Sequence, residues 1–236
     1  MHGEGACNMS EKIRVAILDD HQSIIDGYLY RLSTIPQIEV VATLGYGEEL
    51  EPTLEKHPTN VLLLDISVPT SKTNPNPYPI LYAIPKLLQT YDNLNILVVS
   101  MFAERGLIRA VMEAGASGYI LKDDQTAIRE LGSVVVSIAG GGVYFSQAAH
   151  DLHVKYLSTE NNEKLTARQL EALSLCLSYP DSTTAELAKM MNVSNSTVRN
   201  LLSASYVKLG VHNRTAAIAK AQQLGLITPT QPSSPK

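Results

Sequence analysis

The run Val61-Leu62-Leu63-Leu64-Asp65-Ile66-Ser67-Val68-Pro69 decides how this chain is read. Its apolar start is a strand buried on both faces, the pattern of a parallel sheet covered by helices. A carboxylate follows where the strand should emerge, and Pro69 stops any continuation. In open α/β sheets ligands bind beyond the carboxyl ends of the strands, so Asp65 stands where chemistry is done. Taken alone, such an Asp is more often a turn cap than a reactive group. The neighbouring segments reverse those odds.

Upstream, Ile13 to Leu18 reads as a strand ending at Asp19-Asp20, then a helix over about 22–34 with Ile24, Ile25, Leu29 and Leu32 on its apolar face. A second strand covers 38–44 and a second helix 47–57. Downstream come a strand over 95–100, a helix over about 104–114, a strand over 118–122 and a helix over 125–139. Strands alternating with helices imply right-handed crossovers and a parallel sheet. The expected fold is α/β, a doubly wound five-stranded parallel sheet in the order 2-1-3-4-5.

In that order the first and third strands are neighbours, so Asp19, Asp20 and Asp65 crowd one crevice. Three carboxylates there cost free energy unless a cation neutralises them. A hard divalent ion suits such oxygen ligands, and Mg²⁺ keeps enough waters to share with a phosphoryl group. Ser100 ends the fourth strand and can bond a phosphoryl oxygen; Lys122 ends the fifth and supplies positive charge. Separately, each has a plain account as a helix cap or a solvated strand end. Together at strand ends they point to one site.

Those positions, with Pro69 and the run Gly115-Ala116-Ser117-Gly118-Tyr119-Ile120-Leu121-Lys122, resemble a response-regulator receiver domain of the CheY-like fold. The resemblance implies that Asp65 accepts a phosphoryl group from a histidine kinase. It implies that Asp20, Asp65 and the Ser67 main-chain carbonyl hold Mg²⁺, with Asp19 acting through water. It makes Lys122 the charge-neutralising group, and Ser100 and Tyr119 a switch pair. Two features depart from the pattern. Residues 70–79, rich in Pro and Asn, replace a short turn and are expected to loop beside Asp65. Pro85 lies inside the Ile80–Gln89 apolar pattern, so the third helix is expected to be short or kinked.

The chain has 236 residues and a net charge of −4, unevenly spread. Residues 11–139 carry 16 acids and 10 bases, whereas 161–236 carry 4 acids and 8 bases. An acidic first half and a basic second half suggest different partners, with nucleic acid the candidate for the second. Apolar runs are too short to cross a bilayer and the first residues lack a signal-peptide layout, so a cytoplasmic protein with no membrane partner is expected. Cys7 and Cys176 suggest neither a disulfide nor a metal framework.

Gly140-Gly141-Gly142 ends the first half. Residues 146–157 could form a short helix, whose His150 and His153 read as solvated rather than metal-binding. Four short helical patterns follow: Ala167–Ser178, Thr184–Met191, 195 to 209 ended by Gly210, and 214 to 224. Two helices joined by a short turn in a basic domain form a helix-turn-helix signature. The wording Leu165-Thr166-Ala167-Arg168-Gln169, Glu186-Leu187-Ala188, Val193 to Asn200, Lys208-Leu209-Gly210-Val211 and Asn213-Arg214 resembles the LuxR-type output domain. Joined to a receiver, it resembles the NarL/FixJ subfamily and implies a dimeric transcription factor on paired half-sites.

The expected divisions are a disordered leader at 1–11, the receiver at 12–139, a linker at 140–162, the DNA-binding domain at 163–226 and a tail at 227–236. On the recognition helix an exposed face carrying Asn195, Ser196, Arg199, Asn200 and Ser203 is expected. Arg199 and Asn200 would read bases, while Arg168, Lys208 and Arg214 would hold phosphates. Leu201 and Ser203 replace the His and the Lys or Arg common in the family, so weaker or more partner-dependent DNA binding is expected. The implied partners are DNA, a histidine kinase, a second copy of the chain and RNA polymerase. A phosphoaspartyl hydrolase would carry Asp-x-Asp where this chain has Asp19-Asp20-His21. A regulator that has lost phosphoryl switching is disfavoured by the complete carboxylate–lysine set.

Overall fold

In the computed structural model, residues 12–157, 165–224 and 226 are described. The first part contains β1 (Ile13–Leu18), α1 (Gln22–Ser33), β2 (Ile38–Leu44), α2 (Leu50–Lys56), β3 (Val61–Leu64), α3 (Ile80–Thr90), β4 (Asn95–Ser100), α4 (Arg105–Glu113) and β5 (Gly118–Leu121). It continues with α5 (Gln125–Arg129), α6 (Leu131–Ala139), β6 (Tyr144–Phe145) and α7 (Gln147–Leu157). All strands are parallel, in the order β2-β1-β3-β4-β5-β6. The expected five-stranded sheet therefore gains a sixth strand from the segment expected to be linker. Gly118 pairs with Tyr144 and Tyr119 with Phe145. Gly118 makes this possible, because a Cβ there would lie 2.5 Å from the Tyr144 carbonyl oxygen.

Every residue of β3, β4 and β5 is buried, which explains their unbroken apolar reading. Burying each Leu or Val contributes about 1.5–3 kcal/mol. The expected 125–139 helix is two, breaking at Glu130, and the second helix is preceded by a 3₁₀ turn at Gly47–Glu49. Helix α3 is not cut short: it runs 11 residues through Pro85. The carbonyl that Pro85 leaves without an N–H belongs to Leu81, on the exposed side of the helix.

Residues 70–79 form a loop, as expected. Thr70 and Asn76 close a small hairpin, Pro69 bridges Pro77, and Tyr78 N–H bonds the Val68 carbonyl. The loop is tied sideways to the 3₁₀ turn, whose Gly47 and Glu48 N–H groups donate to the Pro69 and Thr70 carbonyls. The Tyr78 ring lies so close over Gly47 that a Cβ there would sit 2.1 Å from Cγ. Gly47→Ala is therefore expected to displace Tyr78 and to destabilise the domain by about 1–3 kcal/mol through overpacking. Denaturant titration checks this: adding Tyr78→Ala should recover most of the loss.

The second part is α8 (Ala167–Ser178), α9 (Thr184–Met191), α10 (Asn195–Leu209) and α11 (Arg214–Gln223). Capping boxes start α8 (Thr166 with Gln169) and α9 (Thr183 with Glu186), and the Ser194 hydroxyl accepts the Thr197 N–H at the start of α10. Asn192, at φ 53°, turns the chain between α9 and α10 in the left-handed conformation that Asn tolerates, and Gly210 ends α10 likewise. One apolar cluster runs from the α2–α3–α4 face of the sheet through Phe145 and Ala149 into Leu173, Leu187, Val198 and Leu202 of the second part. The α1–α6 face of the sheet forms a separate cluster.

Candidate functional site

The carboxyl ends of β1, β3 and β5 bring Asp19, Asp65 and Lys122 together. Lys122 Nζ lies 2.6 Å from Asp19 Oδ2 and 2.8 Å from Asp65 Oδ2, and all three side chains are nearly buried. Burial alone would lower the Lys122 pKa. The two carboxylates outweigh it and hold the ammonium above its ordinary value of 10.5. This ion-pair stability is therefore present below pH 10.5 and lost as pH rises through the higher folded value.

Asp20 stands on the rim, where the His21 imidazole approaches it to 2.7 Å. Asp19, Asp20, His21 and Asp65 offer ligand atoms within 4.8 Å of one another, so the cluster could hold a metal ion. Sequence reading missed His21, which offered no signal beyond adjacency. Asp65 Oδ1 accepts the Ser67 N–H at 3.3 Å, which fixes the turn leaving β3. Tyr28 was also missed. It is buried under Lys122 with its hydroxyl unpaired, and burial followed by the Asp19 charge raises its pKa.

Ser100 and Tyr119 meet through the backbone of the loop leaving β4. The Tyr119 hydroxyl donates to the Phe102 carbonyl at 2.7 Å, and Ser100 Oγ accepts the Phe102 N–H at 3.2 Å. Both side chains are fully buried, and desolvation raises the Tyr119 pKa to about 12. Both candidate switch residues thus hold one loop, and that loop leads into α4.

The recognition-helix residues lie elsewhere than expected. The face of α10 expected to be exposed is docked on the amino-terminal end of the sheet, opposite Asp65. Arg199 is 2% exposed. Its guanidinium donates to the Leu94 carbonyl at 3.0 Å, Asn95 Oδ1 at 2.9 Å and the Gly115 carbonyl at 3.3 Å. Asn200 Nδ2 donates to the Glu113 carbonyl at 3.2 Å, and Ser203 is buried. Ser196 packs on Gly115, which has φ +105° and where a Cβ would lie 2.9 Å from that of Ser196. Asn195 lines a cavity of about 360 Å³ at this junction together with Lys12, Asn60 and Thr184.

No acidic side chain neutralises Arg199 among the described residues. Desolvation pushes its pKa down to about 10, so it stays charged at neutral pH. A buried cation held only by carbonyl dipoles recovers less than one in an ion pair. Of the expected phosphate-binding residues, Arg168 is exposed and pairs with Glu171 at 2.9 Å. Lys208 donates to Gln169 Oε1 at 3.1 Å. Arg214 donates to the Pro180 and Ser182 carbonyls, pinning the loop before α9.

No described helix is long and apolar enough to cross a membrane. The profile of response regulator receiver domains matches residues 15–131, and that of bacterial regulatory proteins of the luxR family matches 163–221. The chain is 29% identical to the transcriptional regulatory protein DegU of Brevibacillus brevis, over 92% of this chain and 95% of that one. It is also 29% identical to MctR of Rhizobium johnstonii, covering 92% and 96%. The fold matches RcsB of Salmonella typhimurium with TM-score 0.54 at 24% identity, covering 90% of this chain and 99% of that chain. With its parallel α/β receiver and its helix-turn-helix, the chain belongs to the NarL/FixJ-type response regulators, transcriptional regulators that join a receiver to a LuxR-type DNA-binding domain.

Proposed function

We propose that this regulator accepts a phosphoryl group on Asp65 from a histidine kinase in the cytoplasm and converts it into release of its recognition helix for DNA. The observation that carries this reading is the burial of Arg199 against the receiver. A base-reading helix held by Leu94, Asn95 and Gly115 is withdrawn from DNA. The unphosphorylated chain is closed and silent.

The carboxylates of Asp19, Asp20 and Asp65 offer oxygen atoms within 4.8 Å of one another, and with the Ser67 carbonyl that the receiver resemblance adds they would suit Mg²⁺. When bound, the ion neutralises the charge on the transferred phosphoryl group. Lys122 keeps the crevice electrically balanced, and the Ser100 hydroxyl leaves the Phe102 N–H for a phosphoryl oxygen. Once Ser100 turns, the loop at Phe102 is held by Tyr119 alone. That loop opens α4, whose far end carries the Glu113 and Gly115 carbonyls that hold Asn200 and Arg199. Moving α4 therefore withdraws two acceptors from the docked helix. The route is one of contiguous contacts, and the test of it is energetic coupling between its ends.

Freed, α10 enters the major groove with Arg199 and Asn200 against base edges, two copies of the chain occupying paired half-sites. RcsB has been solved as two dimers bound to two parallel DNAs, and that arrangement motivates the dimer. RNA polymerase is the further partner of such a factor. Lys208 and the exposed Arg168 serve phosphates. Lys208→Ala is expected to weaken binding to specific and scrambled duplexes alike and to reduce the salt slope by about one unit. Titrations at several salt concentrations check this. A loss confined to the specific duplex would move Lys208 from anchoring to reading.

A further inference from the structure

Two histidines of α7 and a third from a distant part of the sequence come together where α7 touches the DNA-binding domain. His150 and His153 lie on α7, 5% and 7% exposed rather than solvated as the sequence suggested. His212 comes from the turn between α10 and α11. The His150 and His212 rings cross edge to face at 4.0 Å between centroids, and His153 stacks on Phe145 of β6 at 5.1 Å. The Nδ1 atoms of His153 and His212 are buried without a hydrogen-bond partner among the described residues, and the His150 ring has only the Val211 backbone and the Asp151 carboxylate, 3.8 Å away, beside it. Buried polar atoms are normally paired, and these rings leave the junction incompletely satisfied.

We propose that His150, packed edge to face on His212 with His153 beside it on α7, is a proton-operated latch, holding α7 against the DNA-binding domain while the His150 ring is neutral and releasing it when that ring is protonated. A charge on His150 or His153 would stand in a desolvated junction beside a second imidazole. The other groups facing the cluster do not cancel this cost. Asp151 on α7 approaches His150 Nδ1 only to 3.8 Å, with its carboxylate largely in solvent. Glu113 and Arg109 of α4 face His153 with opposite charges and are paired with each other at 2.6 Å. The Val211 backbone lies beside His150 and is the remaining favourable influence. Burial followed by the His212 charge lowers the His150 pKa, and burial followed by the His150 charge lowers that of His153 to about 4.

A docked pKa below the free value means that docking is favoured above pH 6.5, the ordinary histidine value, and is lost as pH falls towards the docked value. The regulatory meaning rests on the closed form being the silent one. Docking itself can be read without DNA, so failure of the latch and failure of that reading are distinguishable.

The test uses the full chain carrying Cys7→Ser and a donor–acceptor pair at the exposed positions Tyr30→Cys and Met190→Cys. Transfer efficiency is expected to fall between about pH 7.5 and about pH 5 in this background. It should stay level when His150→Gln, His153→Gln and His212→Gln are added. An unchanged efficiency in the first protein, or an equal fall in the second, overturns the proposal. If the triple variant does not fold, the imidazole proton resonances of the unmutated chain decide. A His150 midpoint below 6.5 supports the latch, and one at or above 6.5 overturns it.

Discussion

Incubated with a small phosphodonor and Mg²⁺, the chain is expected to gain one phosphoryl group by intact mass, and Asp65→Asn to gain none. Of the carboxylates in the cluster, Asp20 is on the rim in contact with His21, whereas Asp65 is 4% exposed and held by Lys122 and the Ser67 N–H. Asp19 is engaged by both Lys122 Nζ and the His21 N–H. Asp65 alone lies at the end of β3, central among the strands that converge on the crevice. Nucleophilic attack needs an oriented oxygen beside compensating cations, and Asp65 has that arrangement. The effect is all-or-none because Asn keeps the shape of the side chain but lacks the nucleophilic oxygen. A label persisting in Asp65→Asn would move the acceptor to Asp19 or Asp20. Lys122→Gln, by contrast, is expected to retain incorporation while losing stability, since removing it leaves two nearly buried carboxylates unpaired.

This site was legible because its signals are local. Asp19, Asp65, Ser100 and Lys122 each stand at or just past the end of a strand, and strands buried on both faces announce themselves as apolar runs. The sixth strand was not legible, because two residues, Tyr144 and Phe145, carry no periodicity. The Pro- and Asn-rich loop was recognised as irregular, but its direction depends on the Tyr78–Gly47 contact, which no spacing encodes. The spacing of apolar residues in α10 turns Val198, Leu202 and Val207 to one side, and all three are buried. It could not show that Arg199 and Ser203, on another face, are covered by the receiver. Periodicity reports a helix's own core, not what a second domain lays over its polar side. The same limit hid His212 from His150: a contact across domains leaves no trace in spacing.

The burial of Arg199 on Asn95 gives the largest expected effect on DNA. Asn95→Ala, a change in the receiver where it covers the recognition helix, is expected to tighten binding of the unphosphorylated protein to its specific duplex. The Asn95 carboxamide accepts from Arg199 at 2.9 Å and donates to the Asn60 carbonyl at 3.1 Å, while its backbone N–H stays in the sheet through Asn60. Truncation therefore spares β4 and removes one of three acceptors from a buried cation that has no anionic partner. A hydrogen bond to a charged group contributes ~1.5–3 kcal/mol, which corresponds to roughly 10- to 150-fold in the closed-to-open ratio. Phosphorylated wild type and phosphorylated Asn95→Ala should then bind alike, since both are already open. Arg199→Ala opens the chain by the same loss but also removes the side chain assigned to a base. It should gain no specific affinity and should relax preference at one base pair per half-site. The two substitutions act on opposite ends of one hydrogen bond, so their opposite effects separate silencing from reading. Equal affinity of unphosphorylated wild type and Asn95→Ala for the specific duplex would show that the docked helix does not restrain DNA binding.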